Sequence, residues 1–336
     1  MSAARYRNVA MPPAGQAGRG FLTFAHPALR EWRWPYFAVS GAGRGPQLLI
    51  IAGIHGCEYS SIVAATRFAR SLDPAQVGGG VLVLPIVNLP AFWERTPFVC
   101  PIDGKNPNRV FPGRADGTFS EALAYHLTEN LFAHADALID LHGGDMVEAL
   151  VPFTICQQVG DAGLDSRSEA LARLFGLPYA LVIPAQRDAL GGTTYGTAAM
   201  RGVPAIIAEA GGIGQLSEPD VELLARGLSN CACHLGILPG EPEPVPEPVR
   251  IGRFDWLRSE RAGLFHPAVR VGDVVQSGHT VGRLDDLFGE PIETITAPSS
   301  GVVLFLTTSP AMTVDGLLMG IGVPAANQSG NEKREA

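Results

Sequence analysis

Lysine is almost missing. Only Lys105 and Lys333 occur among the 25 basic residues, the rest being arginine, a bias of coding before it is one of function. With 33 acidic residues and a net charge of −8, the chain has no positive excess to follow a phosphate backbone, which argues against a nucleic-acid partner. No apolar run approaches the ~20 residues of a membrane span, and no basic stretch leads into an apolar core at the N-terminus. No membrane partner is therefore expected, and the cytoplasm is the expected compartment. Cysteine is scarce and odd in number, five in all, so free thiols in a reducing compartment fit better than a disulfide framework. Cys231 and Cys233, with His234 beside them, lack the second ligand pair of a structural zinc site. Charged residues make up 17% and hydrophobic ones 46%, the balance of a globular chain with much buried surface. Its 336 residues are enough for two domains.

What is present is organised around Gly53-Ile54-His55-Gly56-Cys57-Glu58. A strand-like run, Gln47 to Ile54, leads into this stretch, and an amphipathic one, Tyr59 to Leu72, leads out. His55 and Glu58 thus stand at a strand-to-helix junction, where open α/β sheets keep their chemistry. An imidazole and a carboxylate three residues apart can point the same way and supply two of the three protein ligands of a catalytic zinc site. Gly53 and Gly56 allow a bend and a close approach on either side. Taken alone, the stretch is also what a helix N-terminus with an early acidic residue presents.

Two more buried-type strands end in the same manner. Ala137 to Leu141 runs into His142, and Ala205 to Ala208 runs into Glu209. In a parallel sheet the carboxyl ends of neighbouring strands lie close, so His55, Glu58, His142 and Glu209 can meet at one crevice. Two histidines and a glutamate leave a fourth zinc position for water, and Glu209 is the candidate to take that water's proton and return it to a leaving amine. Asp140 shares a strand face with His142 and is a candidate to steady its imidazole; a solvent-bridged aspartate is the alternative. The long irregular passage from Asn88 to Gly117 has a length that usually serves function. Within it Asn108 and Arg109 offer a clamp for a substrate carboxylate, because a guanidinium fork matches a planar anion. An Asn-rich turn with a surface arginine would read the same way.

Strands over Phe21 to Ala25, Trp34 to Val39, Val81 to Val87 and Ala180 to Ile183 alternate with helices. These cover Phe119 to Ala133, behind a capping box at Thr118 to Glu121, Ser166 to Phe175, and Pro219 to Leu235. The pattern predicts an α/β fold over residues 1–240, a mixed, largely parallel sheet with helices on both faces. Glu241 to Pro248 alternates with proline and reads as a stiff linker over 241–250. Beyond it, short β-type runs between glycine turns predict a small C-terminal all-β domain, barrel or sandwich, over 251–324, and a polar, disordered tail over 325–336.

The set Gly53-x-His55-Gly-x-Glu58, Asp103-Gly-Lys-Asn-x-Asn-Arg-x-Phe-Pro-Gly113, Asp140-Leu-His-Gly-Gly-Asp145 and Glu209-Ala-Gly-Gly212 resembles the succinylglutamate desuccinylase/aspartoacylase family of zinc-dependent deacylases, relatives of the M14 metallocarboxypeptidases. Within it the chain looks most like the bacterial branch that includes N-acetyl-diaminobutyrate deacetylases. The resemblance implies a zinc-carboxypeptidase-like fold and one Zn(2+) per chain on His55, Glu58 and His142. It implies Glu209 as general base and acid, and Asn108 with Arg109 on the carboxylate of a small N-acyl amino acid. Where aspartoacylases carry an arginine that polarises the scissile carbonyl, Pro101 stands here, which leaves Lys105 or Arg95 as substitutes. Tyr195 is a candidate to close over the substrate. The β unit resembles lipoyl or biotinyl carrier domains in its turns, yet no lysine lies between Leu264 and Val323, so a packing, homo-oligomer-forming or site-covering module is expected. The expected reaction is removal of an acetyl- or succinyl-type group by metal-activated water. Carboxypeptidase action on short peptides and a metal-free binding protein with a relic site are the alternatives.

Overall fold

A computed structural model of the chain describes residues 6–185 and 191–325. The strands are β1 (Gln16–Leu22), β2 (Trp34–Ser40), β3 (Gly43–Ala52), β4 (Gly78–Leu84), β5 (Ala137–His142), β6 (Glu148–Leu150), β7 (Phe153–Gln157), β8 (Tyr179–Ile183) and β9 (Ala205–Glu209) in the first part. In the second they are β10 (Val249–Arg258), β11 (Gly263–Pro267), β12 (Val274–Val275), β13 (Thr280–Asp285), β14 (Pro291–Thr296), β15 (Gly301–Thr307), β16 (Ala311–Met312) and β17 (Leu317–Pro324). The helices are α1 (Tyr59–Ser71), α2 (Leu89–Glu94), α3 (Phe119–Asn130), α4 (Ala162–Leu174), α5 (Thr194–Met200) and α6 (Glu218–His234).

The apolar, non-alternating strands are covered on both faces. Along β3, Leu49 and Ile51 join a core with Trp34, Leu123 and Leu127, whereas Leu48, Ile50 and Ala52 join another with Phe68, Leu224 and Leu228. The two-residue period of a strand sends alternate side chains to opposite layers, and helices on both sides bury each set. Each such Leu or Ile contributes about 1.5–3 kcal/mol by leaving water. The central order is β4-β3-β5-β9, with all three of these pairings parallel. The chain goes from β3 to one neighbour and later returns to the other side as β5. That makes the β3–β5 boundary a topological switch point, where a crevice opens at the carboxyl ends.

The structure differs from the sequence-based expectation in several places. The first strand lies earlier than Phe21 to Ala25. The passage 88–117 contains α2 and a 3-10 turn at Pro107–Arg109. β6, β7 and α5 were unforeseen, and β7 runs antiparallel to β9. Only part of the segment after the proline-rich stretch forms a separate sheet, of four strands in the order β14-β13-β11-β16. β10 pairs in parallel with β8, and β17, β15 and β12 follow it, so one sheet of 13 strands runs from the N-terminal edge into the C-terminal unit. Edge strands seek partners for their free N–H and C=O groups, and β8 finds one in β10. Of the expected tail only Ala325 lies within the described residues. Among those residues no helix is long and apolar enough to cross a membrane, and all five cysteines are free.

Candidate active site

Beyond β3 the backbone turns at Gly53 with φ of +65°, a region open to glycine at little cost. Gly56 then presses on α2: a Cβ there would fall 2.2 Å from the Phe92 nitrogen. Glu58 follows as the residue that caps α1, yet its side chain caps nothing. A carboxylate serving the helix would accept an N–H of the first turn. This one faces two imidazoles instead.

Glu58 Oε1 lies 2.8 Å from His55 Nδ1, and Oε2 lies 3.1 Å from His142 Nδ1. The second approach lacks hydrogen-bond geometry, so Oε2 is buried without a partner. His55 Nε2–H donates to Asn106 Oδ1 at 3.1 Å, and His142 Nε2–H donates to Asp140 Oδ2 at 2.9 Å. The Asn106 atom is an oxygen because it also accepts the Asn108 N–H at 2.9 Å. Asp140 Oδ2 is fixed further by the Thr194 hydroxyl at 2.5 Å. Each ring therefore spends its Nε2–H away from Glu58 and turns its Nδ1 towards that carboxylate. Two imidazole nitrogens and a carboxylate gathered away from water require a positive charge among them, from protons or from a metal ion. The three ligand atoms lie within 4.8 Å of one another, close enough to share a metal ion.

Protonation tells the same story. Burial pushes His142 down, but the Asp140 and Glu58 carboxylates outweigh it and hold the imidazole well above its ordinary value. Burial likewise opposes the charge on Glu58, and the two imidazolium neighbours overcome it, lowering the carboxyl to about 2. Protons held there stand in the place that a metal ion would take.

Glu209 is the last residue of β9, in register with His142 on β5. Burial first, and the Glu58, Glu148 and Asp140 carboxylates after it, push its carboxyl well above the ordinary range against the pull of His142. These four residues open into a cavity of about 1060 Å³. Asn108, Arg109 and Tyr195 line it as well. Asn108 Oδ1 accepts the Thr194 N–H at 2.9 Å, and the Arg109 guanidinium donates to the Asn108 carbonyl at 2.7 Å. The Tyr195 hydroxyl is buried, which pushes it up to about 12.

Lys105 is not brought to this cavity. Its ammonium pairs with Glu121 at 2.7 Å, drawn away by the acidic first turn of α3. Arg95 ends α2 in the left-handed conformation and does not line the cavity either. Sequence reasoning missed Asn106, Thr194 and Glu148. The first sits inside the quoted Asn-Pro-Asn motif and could have been found as a turn-forming side chain. The other two carry no local signal.

The family model for the succinylglutamate desuccinylase/aspartoacylase catalytic domain matches residues 44–235. The chain belongs to that family. It is a hydrolase of amide bonds, a deacylase. An N-alpha-acetyl-L-2,4-diaminobutyric acid deacetylase of Halomonas elongata is 33% identical over 253 residues, 73% of this chain and 72% of that protein. A product-bound structure of the ectoine utilization protein EutE (DoeB) from Ruegeria pomeroyi superposes with a TM-score of 0.83 at 27% identity, covering 94% of this chain and 97% of that one. A succinylglutamate desuccinylase/aspartoacylase from Rhodobacter sphaeroides reaches 0.81 at 28% identity, with 92% and 96% covered. Both solved structures extend past the catalytic-domain match, so the deacylase of this family shares its C-terminal β unit with them.

Proposed function

We propose that this deacylase is zinc-dependent and removes a short acyl group, of acetyl or succinyl type, from the amine of a small N-acyl amino acid. The observation that carries this reading is the buried His55–Glu58–His142 triad, with both Nε2 protons engaged elsewhere and Glu58 Oε2 left without a partner. The donor set, two imidazoles and one carboxylate, is that of a catalytic zinc site. Bound there, zinc would acidify a water and polarise the scissile carbonyl. Glu209 would take the water's proton and return it to the departing amine, which a carboxyl with raised proton affinity does well. Asn108 and Arg109 would hold the amino acid's carboxylate, and Tyr195 would shield the site from bulk water. Residues 1–240 are the proposed catalytic unit and 251–324 a β unit that closes the cavity, a reading supported by Phe254, Trp256 and Phe305 on its wall. The test is acid release from a panel of N-acetyl and N-succinyl amino acids by zinc-loaded protein. The relative's substrate, an N-alpha-acetylated diamino acid, belongs first in that panel. Turnover of at least one member is expected, and a zinc-loaded protein inert on all of them would refute the reading.

A further inference from the structure

Glu148 is a carboxylate on the cavity wall that the proposed reaction does not use. Its backbone is clamped between the two turns that carry the site. The Ile213 N–H donates to the Glu148 carbonyl at 2.9 Å. A Cβ on Gly144 or on Gly212 would fall 2.3 Å from that carbonyl oxygen. Gly144 lies two residues after His142, and Gly212 lies three after Glu209, so the close packing of both turns brings Glu148 to the cavity that the triad lines. Its side chain is oriented by the Asp145 N–H, which donates to Oε2 at 3.2 Å. On its other flank Glu148 pairs with Thr307 of β15.

No basic side chain among the described residues pairs with Glu148. The arginines that share the cavity are engaged elsewhere, Arg253 with Asp255 and Arg258 with the Asp315 carbonyl, while Arg109 leans on the Asn108 carbonyl. An oriented carboxylate with no cation of its own, facing a substrate cavity, is incomplete until something positive arrives. Burial pushes its carboxyl up to about 7, the sign of the same uncompensated charge. A substrate ammonium would take the place of that proton.

We infer that Glu148 is a specificity-determining residue that receives a positively charged amino group on the substrate's side chain, making N-acyl diamino acids the preferred class. This rests on the deacylase reading above. Its measure is kcat/KM of zinc-loaded protein for N-alpha-acetyl-L-2,4-diaminobutyrate against N-acetyl-L-2-aminobutyrate, which lacks only the second amine. Glu148→Gln keeps an oxygen for the Asp145 N–H and removes the charge.

The wild type is expected to favour the cationic substrate, and the variant to lose about 10- to 100-fold on it, the worth of a charge-assisted hydrogen bond. The neutral substrate should change by less than about threefold, which also shows that the variant folds. A second readout needs no turnover: competitive inhibition by 2,4-diaminobutyrate should weaken in the variant, with inhibition by 2-aminobutyrate unchanged. Equal loss on both substrates, or a wild type without preference for the cationic one, overturns the role of Glu148 and leaves the deacylase reading intact. Inertness on every N-acyl amino acid overturns both.

Discussion

Asp140 and Asn106 show how much of the site lies behind the three proposed ligands. One oxygen of each accepts an imidazole Nε2–H, and each acceptor is itself pinned, by the Thr194 hydroxyl and by the Asn108 N–H. Replacing Asp140 with Asn puts an amide where the imidazole proton needs a carboxylate. Zinc affinity should fall about 10- to 100-fold, read by competition with a chromogenic chelator. Glu209→Gln is expected to keep zinc and lose about 10²- to 10⁴-fold in kcat, because only proton transfer is removed. Glu148 also has a consequence for stability. Its folded carboxyl, at about 7, lies above the ordinary 4.5, so the fold favours the protonated form. That contribution is fully present below pH 4.5 and is lost as pH rises through about 7. In metal-free protein, the melting temperature of Glu148→Gln relative to wild type should therefore rise between pH 4.5 and pH 8. A difference that stays flat with pH would contradict this.

At the level of elements, the long loop is held by its own motif. Asp103 accepts from the Thr118 hydroxyl and from both the N–H and the hydroxyl of Ser120, at 2.7 to 2.9 Å. Lys105 pairs with Glu121. The front half of the motif thus docks the loop on the start of α3, and only the back half, Asn106 to Arg109, reaches the site. Asp103→Ala should cost about 1–3 kcal/mol in denaturant unfolding and raise KM more than it lowers kcat, since it loosens the segment that carries Asn108 and Arg109. This division explains what could be read from sequence. A buried parallel strand writes itself as a short apolar run, and the residue at its end is marked by position alone, as His142 and Glu209 are. A charged side chain in a loop has no such address. Lys105 looked available for the substrate until the fold set Glu121 beside it. β7 and α5 are short and rich in small or apolar residues, and their identity comes from packing rather than from a period.

Across the whole molecule, the far wall of the cavity comes from a part of the sequence that carries no catalytic motif. Phe153 packs against Phe254, which lies tilted against Trp256, which in turn meets Phe305. Beneath them Phe153, Leu181, Ile251, Val302 and Leu304 form one cluster drawn from both parts of the chain. No sequence pattern announces a contact between residues about 100 positions apart, such as Phe153 and Phe254, whereas the change of texture after Pro248 is plain. A chain ending at Pro248 would bare the edge of β8 and half of that cluster. It should lose soluble yield and bind a hydrophobic dye, as seen by size-exclusion chromatography and fluorescence. A well-behaved, active truncated protein would show that the β unit closes nothing essential. The most direct measurement concerns the metal: anomalous scattering at the zinc edge from crystals of zinc-loaded protein. The expected result is a single strong peak about 2 Å from His55 Nδ1, His142 Nδ1 and a Glu58 oxygen. A peak on other residues, with these three still bonded only to one another, would contradict it.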